Sequence, residues 1–90
     1  MPFKQLTILN ELGLHARAAT RLVECANQFD CEIWLSNELR RVSGKSIMEL
    51  LTLAAGPGMK VLLETRGSDA DEALQALDEL IASGFGEPEL

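Results

Sequence analysis

The stretch that joins the first strand pattern to the first helix pattern reads Gly13-Leu14-His15-Ala16-Arg17-Ala18-Ala19. It places the only histidine of the chain directly before an alanine-rich helix start. A helix N-terminus offers free backbone N–H groups and a partial positive charge, so it favours a bound anion. The ten residues Leu12–Arg21 contain two arginines and no acidic residue. The stretch predicts a phosphate site at which a neutral imidazole could attack phosphorus, although a lone histidine is also commonly an ordinary half-buried residue.

The first half of the chain predicts a strand, a helix and a strand hairpin. Residues 3–9 alternate, with Leu6 and Ile8 on one side, and residues 16–28 repeat apolar positions at helical spacing. Residues 31–35 alternate again, residues 36–38 form a turn, and residues 39–42 return as a short strand.

The second half predicts a helix, a strand and a last helix. Ser46-Ile47-Met48-Glu49 fits a capping box before a helix over 47–53, and residues 59–66 form a strand. Ser68 or Asp69 is expected to cap the last helix, whose inner stripe is Ala73, Leu74, Leu77, Leu80 and Ile81. Gly84 ends this helix, and residues 85–90 are expected to be a loose tail. The order βαββαβα predicts an α+β fold, in which three helices cover one face of a four-stranded antiparallel sheet.

Length and composition limit the classes of function that the chain could have. Residues 1–90 suffice for one domain, and the formal net charge of −6 argues against nucleic acid and against anionic membranes as partners. Residues 1–4 lead straight into a strand pattern and no apolar run could span a bilayer, so we expect neither a signal peptide nor membrane insertion, and a cytoplasmic protein. Cys25 and Cys31 are expected to be reduced and buried. One histidine cannot complete a usual zinc set, so neither a metal nor a cofactor is expected.

Two residues near the second helix keep two interpretations each. Ser46 is a helix cap if Glu49 completes the capping box, or a regulatory phosphorylation site whose charge would alter a neighbouring docking face. Met48 is expected to face outward because other apolar residues already supply a buried stripe. An exposed methionine suits a surface that docks on a partner.

Several motifs together resemble the HPr family of histidine-containing phosphocarriers. They are Gly13-Leu-His15-Ala-Arg17, Ser43-Gly-Lys-Ser46-Ile-Met48, Leu51-Thr-Leu53 and Gly58, and the resemblance covers essentially the whole chain. It implies an open-faced β-sandwich and a phosphocarrier, rather than an enzyme, of a phosphoenolpyruvate-dependent phosphotransferase system. The ending Ile81-Ala-Ser-Gly-Phe85, the acidic charge and Ala18, where most members have proline, are more similar to the nitrogen-related branch, NPr.

The resemblance also implies roles for particular residues. His15 would carry phosphate on Nδ1. The phosphate would lie beside the Arg17 side chain and the backbone N–H groups of Ala16, Arg17 and Ala18. The position of Ser46 is phosphorylated by a kinase in some members. The docking face for an enzyme I-type donor and a IIA-type acceptor would contain Thr20, Ile47, Met48 and Leu51. The protein is expected to be monomeric.

Two other functions stay open at this point. One is a small acyl-phosphate hydrolase that uses Arg17 as its phosphate anchor. The other is a regulatory module that binds partners through Met48 and never carries phosphate.

Overall fold

The computed structural model describes residues 2–87 as one four-stranded sheet with helices on one face. The elements are β1 Phe3–Thr7, α1 Ala16–Ala26, β2 Glu32–Ser36, β3 Arg41–Ser43, α2 Ile47–Leu51, β4 Lys60–Arg66 and α3 Ala70–Ala82. All strand pairs are antiparallel, in the order β1-β4-β2-β3. The α+β architecture expected from the sequence is therefore confirmed. Within residues 2–87, none of the helices is long and apolar enough to cross a bilayer.

The core lies between the sheet and the helices because the strands alternate with a period of two. Val61, Leu63 and Thr65 of β4 are buried, every second residue of the strand. Leu63 pairs with Leu35 of β2, which is also fully buried. The opposite face is open, and there the Arg41 guanidinium lies 4.0 Å from the ring centre of Trp34.

The turn between β2 and β3 is longer than the predicted one. The side-chain oxygen Oδ1 of Asn37 accepts hydrogen bonds from the backbone N–H groups of Leu39 and Arg40. An asparagine that bonds its own following backbone stabilises a turn in this way. The turn therefore extends over residues 37–40, Leu39 is exposed, and β3 begins at Arg41.

The start of α3 corrects another expectation. Asp69 occupies the N-cap position, but its side chain does not cap the helix. Its two carboxylate oxygens instead accept hydrogen bonds from the backbone N–H groups of Asp30 and Cys31, each at 2.9 Å. The bond from Asp30, together with those from Cys31, holds the pKa of Asp69 below its ordinary value. The carboxylate thus ties the start of β2 to the start of α3.

The expectation of a loose tail is wrong for residues 85–87, and residues 88–90 lie outside the described residues. Gly84–Gly86 form a 3-10 turn that packs on α3 and α1. The Phe85 side chain is 1% exposed and belongs to the core, although its φ of 59° is left-handed. A left-handed residue other than glycine carries a conformational cost, which the burial of an aromatic ring offsets here.

Candidate functional site

The loop before α1 is held tightly on both sides. The Asn10 side-chain nitrogen Nδ2 donates to the carbonyl of Gly13 at 2.7 Å, and the Leu14 N–H donates to the carbonyl of Ala55 at 2.8 Å. Gly13 has a φ of 66°, and a Cβ there would lie 2.6 Å from the Ala55 carbonyl oxygen. Only glycine fits this close approach. The loop therefore presents the next residue, His15, in a fixed position.

His15 occupies the N-cap position of α1 with an extended backbone. Its carbonyl accepts the bond from the Ala19 N–H at 2.8 Å, so the N–H groups of Ala16, Arg17 and Ala18 precede the first internal bond of the helix. The structure assigns no bond from the imidazole to these N–H groups. The ring is 27% exposed. An accessible imidazole thus lies at the positive end of a helix without serving as its cap.

The imidazole contacts an acidic side chain from the other end of the chain. Nε2 of His15 lies 3.0 Å from Oε1 and 3.1 Å from Oε2 of Glu87. Nδ2 of Asn10 donates to the same Oε1 at 2.6 Å. The bond with His15, supported by Asn10 and by the charge of Arg21, keeps the pKa of Glu87 below its ordinary value. The site therefore includes a carboxylate that is ionised at neutral pH.

The two arginines of the sequence motif have different positions. Arg17 is exposed on the first turn of α1, two residues after the imidazole. Arg21 is half-buried, and its guanidinium donates to the backbone carbonyl of Phe85. Arg17 is therefore accessible to a phosphate beside His15, whereas Arg21 anchors the 3-10 turn.

The residues expected to dock partners lie on two helices in contact. Met48 is 76% exposed, as expected, while Ile47 and Leu51 are half-buried against the core. Thr20 is exposed, and its hydroxyl donates to the Ala16 carbonyl at 2.8 Å. Since α2 packs against α1, the exposed side chains of the two helices lie on the same helical side of the molecule.

Ser46 caps α2 as the sequence predicted. Its Oγ accepts a hydrogen bond from the Glu49 N–H at 3.2 Å. The second half of the capping box differs, because the Glu49 carboxylate accepts the N–H of Ser43 rather than that of Ser46. The hydroxyl is therefore engaged in holding the helix start.

Sequence reasoning missed two residues of the site, Asn10 and Glu87. Asn10 and Glu87 gave no local signal, because their contact joins residues 77 positions apart. The one available clue was Phe85, an aromatic residue after the helix end that would be costly to leave exposed.

The two thiols take no part in this arrangement. Cys31 is buried, and burial, with a contribution from Asp69, raises the pKa of its thiol to about 11. Cys25 is half-buried, and burial raises its pKa as well. The expectation of a small buried residue holds for Cys31 and only in part for Cys25.

Comparison with known proteins agrees with this geometry. A family model described as the "PTS HPr component phosphorylation site" matches residues 3–83. Phosphocarrier protein HPr of Neisseria meningitidis serogroup A is 48% identical over 86 residues, 96% of this chain and 97% of the relative. Phosphocarrier protein NPr of Shewanella violacea is 44% identical over 84 residues, 93% of this chain and 92% of the relative. A crystal structure of HPr from Thermoanaerobacter tengcongensis superposes with a TM-score of 0.94 at 39% identity, covering 99% of this chain and 100% of that one.

The fold, the histidine at a helix start and these matches define a phosphocarrier. The chain belongs to the HPr family of the phosphotransferase system. Such a protein is not an enzyme, because it carries a phosphoryl group transiently as phosphohistidine instead of turning over a substrate.

Proposed function

We propose that His15 is the residue that carries the phosphoryl group. One observation carries this proposal: the chain has a single histidine, and it lies half-buried at the N-terminus of α1 with its ring free of any capping role. A phosphohistidine carrier needs an accessible imidazole next to groups that tolerate negative charge. The helix start and Arg17 supply those groups.

The transfer step is a displacement at phosphorus. The lone pair of a ring nitrogen forms the N–P bond while the donor's bond to phosphorus breaks, and that electron pair leaves with the donor. The phosphoryl oxygens then lie near the N–H groups of residues 16–18 and near the Arg17 guanidinium. A charge-assisted bond of this kind contributes about 1.5–3 kcal/mol, so Arg17 stabilises the phosphorylated state.

Labelling with phosphoenolpyruvate and a purified enzyme I-type donor tests the phosphoacceptor directly. We expect one phosphoryl group per chain, labile in acid and stable in base, and no label on His15→Ala. Gln28→Ala, an exposed change in the turn that follows α1, is the control and should label like the wild type. Acid-stable label, or label retained by folded His15→Ala, would contradict the proposal and indicate that another residue accepts the phosphoryl group.

We also propose that the protein passes phosphate as a monomer between an enzyme I-type donor and a IIA-type acceptor. The docking face would combine Thr20, Ile47, Met48 and Leu51. Met48→Asp places a charge where a partner must remove it from water, so donor binding should weaken at least tenfold. Because Met48 is exposed, the melting temperature should stay within about 2 °C of the wild type. Unchanged donor binding by folded Met48→Asp would remove this residue from the docking face.

The nitrogen-related branch is the branch that we propose. Its support is the net charge of −6, Ala18 in the first turn of α1, the ending Ile81–Phe85 and the relative named NPr. The test compares phosphorylation rates with the donors of the nitrogen and sugar branches, each at the same concentration. A faster rate with the sugar-branch donor would assign the protein to that branch. We further propose a cytoplasmic location, where unpaired thiols such as those of Cys25 and Cys31 stay reduced.

A further inference from the structure

Residues 84–87, the last that the structure describes, form a strap that leads to the candidate phosphoacceptor. Phe85 anchors it in the core, and the Arg21 guanidinium holds the Phe85 carbonyl. Gly84 and Gly86 both have a φ of 68°, so the chain doubles back on either side of Phe85. This path brings Glu87 against the imidazole of His15.

The Glu87 carboxylate is fixed from two sides. Its side chain is 12% exposed, and Oε1 accepts a bond from Nδ2 of Asn10 as well as facing Nε2 of His15. Asn10 leaves its own Oδ1 buried without a partner among the described residues. Both neighbours of the amide, the Gly13 carbonyl and Oε1 of Glu87, are acceptors, so its NH₂ group must face them at the cost of the unpaired Oδ1.

An ionised carboxylate can only accept hydrogen bonds. Its contact with Nε2 therefore requires a proton on that nitrogen. A neutral imidazole carries one ring proton, so the lone pair is then on Nδ1.

We propose that Glu87 is a positioning residue that keeps the His15 proton on Nε2 and thereby makes Nδ1 the nucleophile. This inference rests on the proposed role of His15. When the Nδ1 lone pair forms the N–P bond, the proton stays on Nε2 and the ring acquires a positive charge. The adjacent carboxylate offsets that charge, as the aspartate of a catalytic triad does for its imidazolium. Transfer to the acceptor reverses the step, and no further proton donor or acceptor is needed.

The sharpest test replaces the carboxylate by its neutral analogue. Glu87→Gln can accept from Nε2–H or donate to unprotonated Nε2, so it no longer selects one tautomer. Nitrogen-15 chemical shifts of the His15 ring should indicate Nε2–H in the wild type and a mixture of tautomers in Glu87→Gln. The rate of phosphorylation by a fixed concentration of enzyme I-type donor should fall about tenfold, because one charge-assisted bond to the reacting ring is lost.

Two further variants separate this role from charge and from folding. Glu72→Gln removes the same charge from an exposed site at the start of α3, roughly 15 Å along the helix axis from the end of α3 that leads to Glu87. This variant should leave the tautomer and the rate of phosphorylation unchanged. Glu87→Asp keeps a carboxylate on a shorter side chain and should recover part of the rate lost in Glu87→Gln.

The outcomes distinguish this inference from the proposed function. If His15 is labelled but folded Glu87→Gln keeps the wild-type tautomer and rate, Glu87 is not a positioning residue and the role of His15 stands. If Glu87→Gln does not fold, the nitrogen-15 shifts of the His15 ring in Glu87→Asp test the inference instead. A mixture of tautomers in that variant, although the aspartate carboxylate lies at Nε2, overturns the inference. If folded His15→Ala is still labelled, the phosphoacceptor itself is wrong.

Discussion

The starts of α1 and α2 use the same local position for opposite purposes. Ser46 caps α2 through its Oγ, whereas His15 at the start of α1 directs its ring to the Glu87 carboxylate. The hydroxyl therefore contributes to helix stability, and the imidazole does not. The comparison teaches that a side chain at a helix start is available for chemistry when tertiary contacts, rather than the helix itself, hold it.

Removing the anchor of the C-terminal strap should have the largest effect on stability, and of the two helix starts it should disturb only that of α1. Phe85→Ala deletes a fully buried ring, so we expect a loss of about 3–5 kcal/mol in the free energy of unfolding. Urea denaturation followed by circular dichroism measures it. The folded fraction should also lose the Glu87 contact, visible as changed ring shifts of His15. Phe3→Ala, at an exposed aromatic residue on the open sheet face, is the control and should cost under about 1 kcal/mol. A similarly small loss for Phe85→Ala would return the tail to the loose state that the sequence suggested.

Changing the two helix starts separately should produce an intermediate effect. Ser46→Ala removes a cap and should cost about 0.5–2 kcal/mol, while Ser46→Asp can still accept the Glu49 N–H and should cost less. His15→Ala should cost less than Ser46→Ala in the same urea titration, since no cap is lost. Equal losses in the free energy of unfolding for His15→Ala and Ser46→Ala would show that His15 stabilises its helix as much as Ser46 does, contrary to the comparison.

The same pair of Ser46 variants bears on regulation. Ser46→Asp also places a negative charge beside Met48, so a loss of partner binding without a loss of stability would favour a phosphorylation switch at this position. Binding equal to that of the wild type would leave Ser46 with its capping role alone. Titration against the enzyme I-type donor measures this difference.

The smallest effect on stability is expected at the start of α3, where the Asp69 carboxylate bonds the backbone before β2 instead of capping α3. Because the folded pKa of Asp69 is below its ordinary value of 3.8, its ionised form stabilises the fold above that value. The stabilisation should be lost as the pH falls through the folded pKa. The difference in melting temperature between the wild type and Asp69→Asn should therefore be constant near neutral pH and shrink below about pH 4. The exposed Asp71→Asn is the charge-matched control, and a difference as large as that of Asp69→Asn would indicate a general charge effect.

Much of the fold followed from local pattern because burial imposes a period on each element. Leu6 and Ile8 alternate toward the core, and Ala73, Leu77 and Ile81 recur at helical spacing on α3. The Ser46 cap was also readable, because a cap bonds residues three positions apart. The roles of Asp69 and Asn37 were not readable. Asp69 bonds N–H groups 38 and 39 positions away, and Asn37 has several neighbouring N–H groups within reach. Only the folded chain selects among them.

The sequence alone determined the order of the elements, the buried faces of the strands and the position of His15 at a helix start. These features depend on spacing within a few residues, which the chain carries in itself. The tertiary structure alone decided what meets the imidazole. Glu87 reaches His15 from 72 residues away because Phe85 is buried and the chain doubles back around it. Contacts at such separation depend on packing of the whole domain, and no local period encodes them.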